Sequence, residues 1–572
     1  MENEQIEQIN YISPSLKIDD LKSLEQYFED LKGRKILSKD DLVNWIFDKD
    51  DLESTINEDA AWRYIRYTCH TDNEDITKSY IDFINVISPY IKPKFHDLDT
   101  ILLNNEFSKE LEGKAYEIYL RSLKKDVDLF REESIDLQTK EQELNQQYSQ
   151  IQAGQTIHYS GEELTLQQAA VYLKDNNRTV RKEVYELLVE RRAQNTDKLH
   201  EILSELVAIR HQIALNAGFE NFRDYKFVQL GRFDYTNKDV IDFHQSVKNI
   251  IVPLVTKKLL VKQSKLGLSE LKPYDITAEL PGNKALRPYE TSTELIEKSI
   301  KVFTAIHPKM GEYLTNMKDS ALLDLDTRKG KAPGGYNYPL DKTKKPFIFM
   351  NASGKHRDMV TMMHEVGHAI HTFQSAALPL NIFRHVPSEF SEVASMSMEL
   401  ISMSHWQDFF DNEEDFKRAK HELLDGILES LTWIANVDKF QQWLYTNPTH
   451  KVSDRNEAWV KIYQEFHSGD VNWIGYESAL DTMWQRQLHI YEVPFYYIEY
   501  GFAQLGALAV WKNYLANPSV AIEQYMNALA SGYTKTIPEL YEEAGIAFKF
   551  DESYIKDLSA TLITELEKYE SN

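Results

Sequence analysis

Residues 364–371 of this chain read His-Glu-Val-Gly-His-Ala-Ile-His. On a helix, His364 and His368 project from one face a turn apart, the separation two imidazole nitrogens need to reach one tetrahedral ion. Glu365 falls about 100° round that helix, beside such an ion instead of on it, where a carboxylate can hold and deprotonate a water. Gly367 costs a helix about 1 kcal/mol against alanine, so its place near the metal-facing side implies close approach of a neighbouring backbone or ligand. His371, three residues beyond His368, points much the same way and is placed to hydrogen-bond a ligand.

The residues that follow decide which kind of zinc site this is. A metzincin continuation needs glycine at 371 and histidine at 374; the chain has His371 and Gln374, which excludes it. A Glu-zincin arrangement remains, and it needs a carboxylate from a second helix. Pro387-Ser388-Glu389 has the composition of a helix start, with proline in the first turn and an acid near the N-terminus. The connection over 379–386 is short, so the second helix should run back antiparallel to the first. Glu392 in its second turn can then meet His364 and His368. Glu399, seven residues on, returns to nearly the same face and is placed to orient a histidine ligand. One zinc ion per chain is thus expected on His364, His368 and Glu392, with Glu365 as general base.

Composition narrows the setting. A chain of 572 residues exceeds the size at which a single core keeps growing, so two or more lobes are expected. Sixty-five basic against 90 acidic residues give a net charge of −25. Such a surface repels polynucleotide backbones and anionic membranes, which argues against nucleic-acid and membrane partners. The one cysteine, Cys69, excludes an internal disulfide framework, fits a reducing compartment and leaves a zinc site to nitrogen and oxygen donors. The first 20 residues show neither a basic n-region nor an apolar h-region, and the apolar run Tyr500–Trp511 is too short to span a bilayer. A cytoplasmic location is the expectation.

The elements that must position the motif are mostly helices. Residues 108–150 carry apolar positions at helical spacing among Lys and Glu, as a long surface or hairpin helix would. Residues 155–166 alternate around Ser160-Gly161, a small β-hairpin, and a helical block follows from Leu166 to Gly218. Between about 268 and 292 prolines 273, 281 and 288 mark a crossing between lobes. Residues 332–354 give the clearest strand signal, with Gly334-Gly335 before one strand and Pro346–Met350 forming the next. If that second strand is an edge beside the zinc helix, it could pair with an extended substrate backbone. Gly334, Gly335, Tyr336, Phe349, Asn351 and Gly354 are then the candidate substrate-binding residues. No internal repeat is found.

These motifs resemble the M3 metallopeptidases, the family of thimet oligopeptidase and oligoendopeptidase F. The resemblance rests on His364-Glu-x-Gly-His-x-x-His371, on Ser391-Glu392-Val-Ala-Ser395 with Glu399 after it, and on Lys331–Tyr336 with Pro346–Asn351. Upstream, Ile209–Gly218 with Phe222–Tyr225 also fits, and downstream His489–Gln504 is similar to the family's His/Tyr substrate segment. About residues 170–530 are covered, and the length suits the oligoendopeptidase F branch. The spacing from His489 to Tyr500 is one residue shorter than in the thimet branch. The resemblance implies a mostly α fold, a two-lobed helical ellipsoid with a deep central channel and a small sheet or hairpin beside the zinc helix. It implies an N-terminal helical region over 1–165 and a catalytic region over 166–572, both contributing to the lobes.

The implied activity is zinc-dependent cleavage of internal bonds in short unstructured oligopeptides. His489 and Tyr500, with Tyr497 in reserve, are the candidate donors to the developing oxyanion. Two other readings compete: a helical zinc carboxypeptidase or dipeptidase, and a peptide-binding scaffold that has lost catalysis. The first needs a cationic pocket for a terminal carboxylate, to which the sequence assigns no arginine. The intact His364, Glu365, His368 and Glu392 argue against the second.

Overall fold

Apolar residues recurring near every 3.6 positions give this chain its helices, and short alternating or apolar runs give its few strands. The computed structural model describes residues 11–13, 16–280, 282, 285–467 and 469–569, and most of them are helical. Among the described residues no helix is long and apolar enough to cross a membrane. The chain forms two compact units, each discontinuous in sequence. The first gathers Met1–Val127, Leu286–Ala419 and Gly506–Phe548; the second gathers Asp128–Ala285, Lys420–Leu505 and Lys549–Asn572. The proline-rich stretch expected to be a crossing contains the passage between units at Ala285–Leu286; its Pro281 lies outside the described residues.

In the first unit, the helix Lys39–Cys69 starts at Ser38, whose side chain accepts from Asp41 N, with Asp40 and Asp41 in the first turn where the helix N-terminus favours negative charge. It packs through Leu42, Trp45 and Leu52 on the helix Leu21–Gly33 and its Leu24, Phe28 and Leu31. Trp45 Nε1 is satisfied by the carbonyl of Leu31 at 2.8 Å. The same core takes in Leu380 and Phe383, which belong to the connection between the two helices that carry the histidine motif and Glu392. That connection is also tied by polar contacts. The carboxylate of Asp341 accepts from Asn381 Nδ2 at 2.7 Å and Asn57 Nδ2 at 3.1 Å, and lies 2.9 Å from His385 Nε2.

The three-stranded sheet of this unit comprises β3 (Leu323–Asp326), β4 (Tyr336–Leu340) and β5 (Lys345–Ala352), in the order β3-β5-β4. β3 runs parallel to β5 and β4 antiparallel, with Leu323 opposite Ile348 and Tyr336 opposite Phe349. The Pro346–Met350 segment is therefore the central strand, which corrects its reading as an edge. Phe347, Ile348, Phe349 and Met350 are all buried, as a strand covered on both faces requires. The edges belong to β3 and β4, and the helix His356–Ser375 packs directly on β5.

In the second unit, β1 (Thr156–Tyr159) and β2 (Glu162–Thr165) pair as the expected hairpin. Its turn places both Ser160 and Gly161 at positive φ, 53° and 85°, the geometry a two-residue hairpin loop favours. The helices Arg178–Ala193 and Thr196–Asn216 follow. The stretch 108–150, which passes from the first unit to the second at Val127–Asp128, resolves into two α-helices, Lys114–Leu129 and Ile135–Ala153, because the backbone is extended at Arg131 and Gly113 takes φ 101° ahead of the first.

Candidate active site

The histidine motif lies on the helix His356–Ser375 and Glu392 on the helix Ser388–Ser402, whose N-cap is Pro387. The two run antiparallel: His364 meets Glu399, Gly367 faces Ala394 and Ser395, and the ring of His371 meets Phe390. Gly367 is what lets them touch. A Cβ there would stand 2.6 Å from both the carbonyl oxygen of Ala394 and Cα of Ser395, closer than carbon atoms tolerate. The neighbouring backbone implied by a glycine inside the motif is the Glu392 helix.

That contact brings His364, His368 and Glu392 together, with one donor atom from each within 4.8 Å of the others. His364 Nε2 lies 3.3 Å and His368 Nε2 3.6 Å from Glu392 Oε2. Zinc bonds of about 2.0–2.2 Å in a tetrahedron put neighbouring donors about 3.4 Å apart, so the three residues fit a zinc ion with one position left for another ligand. Glu399 Oε1 is 2.6 Å from His364 Nδ1, which leaves Nε2 of that ring turned towards Glu392. Ser395 Oγ donates to Glu392 Oε2 at 2.9 Å.

The charges are unbalanced in a way that suits a cation. Burial works against a charge on His364, but Glu392 and Glu399 outweigh it and hold the imidazole well above its usual range. Burial pushes His368 down to about 4, with Glu392 opposing. Burial would raise Glu392, yet His368, His364 and the Ser395 hydroxyl hold it below the ordinary carboxylate range. Glu365 differs from both acids. It is buried next to the donors without pairing to them, and burial pushes its carboxyl up to about 7. A carboxyl poised near neutrality beside a cation site has the property a general base needs.

The other expected residues of this unit fall as follows. His371 is buried beyond His368 and its Nε2 has no hydrogen-bond partner among the described residues. Gly334 takes φ 102° and Gly335 lies 3.4 Å, by its would-be Cβ, from the carbonyl oxygen of Phe349. Asn351 Nδ2 fixes that turn by donating to the carbonyls of Ala332 and Gly334 at 2.8 and 3.0 Å. Tyr336 stacks on Phe349 at 4.8 Å and its hydroxyl lies 2.6 Å from Thr68 Oγ1. Phe349 is fully buried, so its side chain is part of the core. Gly354 takes φ 82°, with its would-be Cβ 3.0 Å from the carbonyl of Tyr289. Two residues gain a role from the structure. Ser395, already part of the Ser391–Ser395 motif, lies a helix turn after Glu392 and donates to it; Asn337, which ties β4 to the motif by donating to the carbonyl of Glu365 at 3.2 Å, carries no signal in the sequence.

His489, Tyr497 and Tyr500 belong to the second unit. The ring of His489 lies 4.5 Å from that of Tyr497 and 6.1 Å from that of Tyr500, and Tyr496, of the same segment but not among the candidate donors, stacks beside it at 6.4 Å. Gln487 Nε2 is 2.7 Å from His489 Nδ1, and burial lowers the imidazole to about 4. Between His489 and the tyrosines the chain bends through Phe495, a non-glycine residue at φ 67°. Such a conformation costs about 1–3 kcal/mol and persists only where its surroundings hold it. Gln441 accepts from its amide at 2.8 Å, while the buried Arg232 donates to its carbonyl and pairs with Glu499 at 3.0 Å. The His/Tyr cluster is thus a braced feature.

Comparison with known proteins agrees with this geometry. Residues 171–560 match the model of peptidase family M3, and residues 13–130 match the peptidase M3 N-terminal domain. The Oligoendopeptidase F homolog of Borreliella burgdorferi is 22% identical over 563 residues, covering 93% of this chain and 90% of that protein. Oligopeptidase PepF of Bacillus subtilis is 21% identical over 382 residues, an alignment that covers 66% of this chain and spans about half, 55%, of that protein. Among solved structures, PZ peptidase A with inhibitor 2 superposes with a TM-score of 0.88 at 28% identity, covering 96% of this chain and 97% of the other.

Proposed function

The chain belongs to peptidase family M3, and from that premise we propose that it is a zinc-dependent endopeptidase hydrolysing internal bonds of short, unstructured oligopeptides. The observation that carries this reading is the convergence of His364, His368 and Glu392 within 4.8 Å, with the buried Glu365 beside them. His364, His368 and Glu392 would hold one zinc ion per chain, which when bound supplies a Lewis acid that acidifies water and polarises the peptide carbonyl. Glu365 accepts a proton from the attacking water and returns it to the leaving amine. Glu399 fixes the tautomer and orientation of His364, and Ser395 orients Glu392. His489, Tyr497 and Tyr500 are proposed as donors to the oxyanion, and Gly334, Gly335 and Tyr336, on and before the edge strand β4, as the approach for the substrate backbone.

The matches over 13–130 and 171–560 fall on either side of residue 165, which supports reading 1–165 as a helical N-terminal region and 166–572 as the catalytic region. The net charge of −25 and the lone Cys69 support a cytoplasmic protein without nucleic-acid or membrane partners.

The test is incubation with a peptide blocked at both ends, with and without chelator, alongside Glu365→Gln. Internal cleavage abolished by chelator and by the substitution is expected. Cleavage only of free-ended peptides would favour a carboxypeptidase or dipeptidase, and an inert protein that binds no metal would overturn both.

A further inference from the structure

The second unit contains a cavity of about 1080 Å³ lined entirely by its own residues, from Gln152 to Arg486. That is large enough for a small organic molecule. Two arginines, Arg192 and Arg486, open into it. Arg486 lines the cavity with protein packed around it, and its side chain stays exposed to solvent. Among the described residues neither guanidinium has a carboxylate partner. The arginines are also close enough to repel each other: burial first, and then Arg486, push Arg192 down to about 10. Guanidinium groups stay charged at neutral pH, so two positive charges open into one cavity with no carboxylate paired to either. Arginines in this chain are otherwise commonly matched; Arg178 and Arg181, on the same helix as Arg192, both pair with Asp275.

The surroundings of the pair are aromatic. The guanidinium of Arg486 lies 5.5 Å from the ring of Trp433, and Tyr185 and Tyr463 stand near enough to moderate its charge. Tyr463 is itself stacked on His467 at 3.9 Å. Elsewhere the lining carries acids, among them Asp197, Glu477 and Asp481. Those acids repel a polyphosphate or any other strongly charged anion, but a singly charged one can satisfy the arginines without meeting them.

We propose that this cavity is a binding site for a small organic monocarboxylate, whose carboxylate is held by Arg192 and Arg486 and whose apolar or aromatic body lies against Trp433, Tyr185 and Tyr463. Two planar guanidiniums match a carboxylate, and the aromatic walls supply the apolar burial that fixes the rest. The carboxylate could be the C-terminus of a short peptide or that of a free acid; the chemistry recognised is the same. This site is independent of the metal centre and of the hydrolysis proposed for it.

The probe is 3-phenylpropionate, with its amide as the neutral control, titrated calorimetrically into the full-length protein. Neither compound has a scissile peptide bond. One molecule of the acid should bind per chain, with the amide weaker by about tenfold or more. Arg192→Met and Arg486→Met should each weaken the acid by about tenfold while leaving the circular dichroism spectrum unchanged. Equal binding of acid and amide, no binding of the acid at about 10 mM, or arginine variants that bind like the parent would each overturn the proposal; the last would place the acid elsewhere, the metal included. Inorganic phosphate binding more tightly than the acid would overturn the organic part of it. In Glu365→Gln protein, a phenylalanine dipeptide with a free C-terminus that binds more tightly than 3-phenylpropionate identifies peptide termini as the source, and weaker binding identifies free acids.

Discussion

The proposed metal centre of the first unit and the arginine cavity of the second are opposite solutions to holding unbalanced charge. In the metal centre, carboxylates and imidazoles converge, and two of them are backed by another protein group: Glu399 behind His364, Ser395 behind Glu392. Its residues lie within 36 positions along the chain, from His364 to Glu399, on two helices pressed together at Gly367. In the cavity, two cations converge beside aromatic rings with no carboxylate partner among the described residues, brought from distant helical segments. A site backed by protein is organised before its ligand arrives. A site left without a counter-charge carries a standing cost that a ligand relieves.

The largest expected effect separates the two directly. Glu365→Gln keeps size and hydrogen-bonding capacity but cannot take a proton, so hydrolysis should fall by about 10²–10⁴-fold. Zinc content and binding of 3-phenylpropionate should stay at the parent level. A loss of carboxylate binding in this variant would break the separation of the two sites.

Gly367→Ala comes next. The added methyl meets the backbone at Ala394 and Ser395, and backbone cannot swing aside as a side chain can. The helices must part, at a cost of about 1–3 kcal/mol, and Glu392 moves with them. Thermal unfolding should show lower stability and a metal titration weaker zinc binding. Unchanged values for both would mean that the two helices do not depend on this contact.

How each region could be read from the sequence follows from the same contrast. The metal centre was legible because helical periodicity converts spacing into geometry: four residues put His368 beside His364, and a short connection returns Glu392 to them. What lay outside local periodicity was not legible. The segment Pro346–Met350 read as an edge strand because nothing within it records that β3 pairs on its far side. The break near Arg131 was masked by strong helix formers around it. Asn337 meets the motif only through the order of the sheet. Arg192 and Arg486 sit in unremarkable helical sequence, and only tertiary packing makes them neighbours.

Glu399→Gln sharpens the first half of the comparison. The amide still reaches His364 Nδ1 but loses the negative charge that orients and enriches the ring. Zinc affinity should drop about 10–100-fold, with the fold intact. An affinity equal to the parent's would mean that the carboxylate behind His364 contributes nothing to holding the metal.

The smallest expected effect is also the one with an unusual sign. Neutralising a backing group, as at Glu399, removes support. Arg192→Met should do the reverse in the ligand-free protein, because it replaces one of two repelling cations with an apolar chain of similar length. Removing a partly buried charge that lacks a partner relieves desolvation and repulsion together, and since Arg192 keeps some exposure the gain is held to about 1 kcal/mol. Thermal unfolding without added acid should therefore show the variant slightly more stable than the parent. Saturating 3-phenylpropionate should then reverse the order, because only the parent gains the full stabilisation of the bound ligand. A variant less stable than the parent in both conditions would mean that Arg192 supports the fold, and that the cavity resembles the metal centre more than it differs from it.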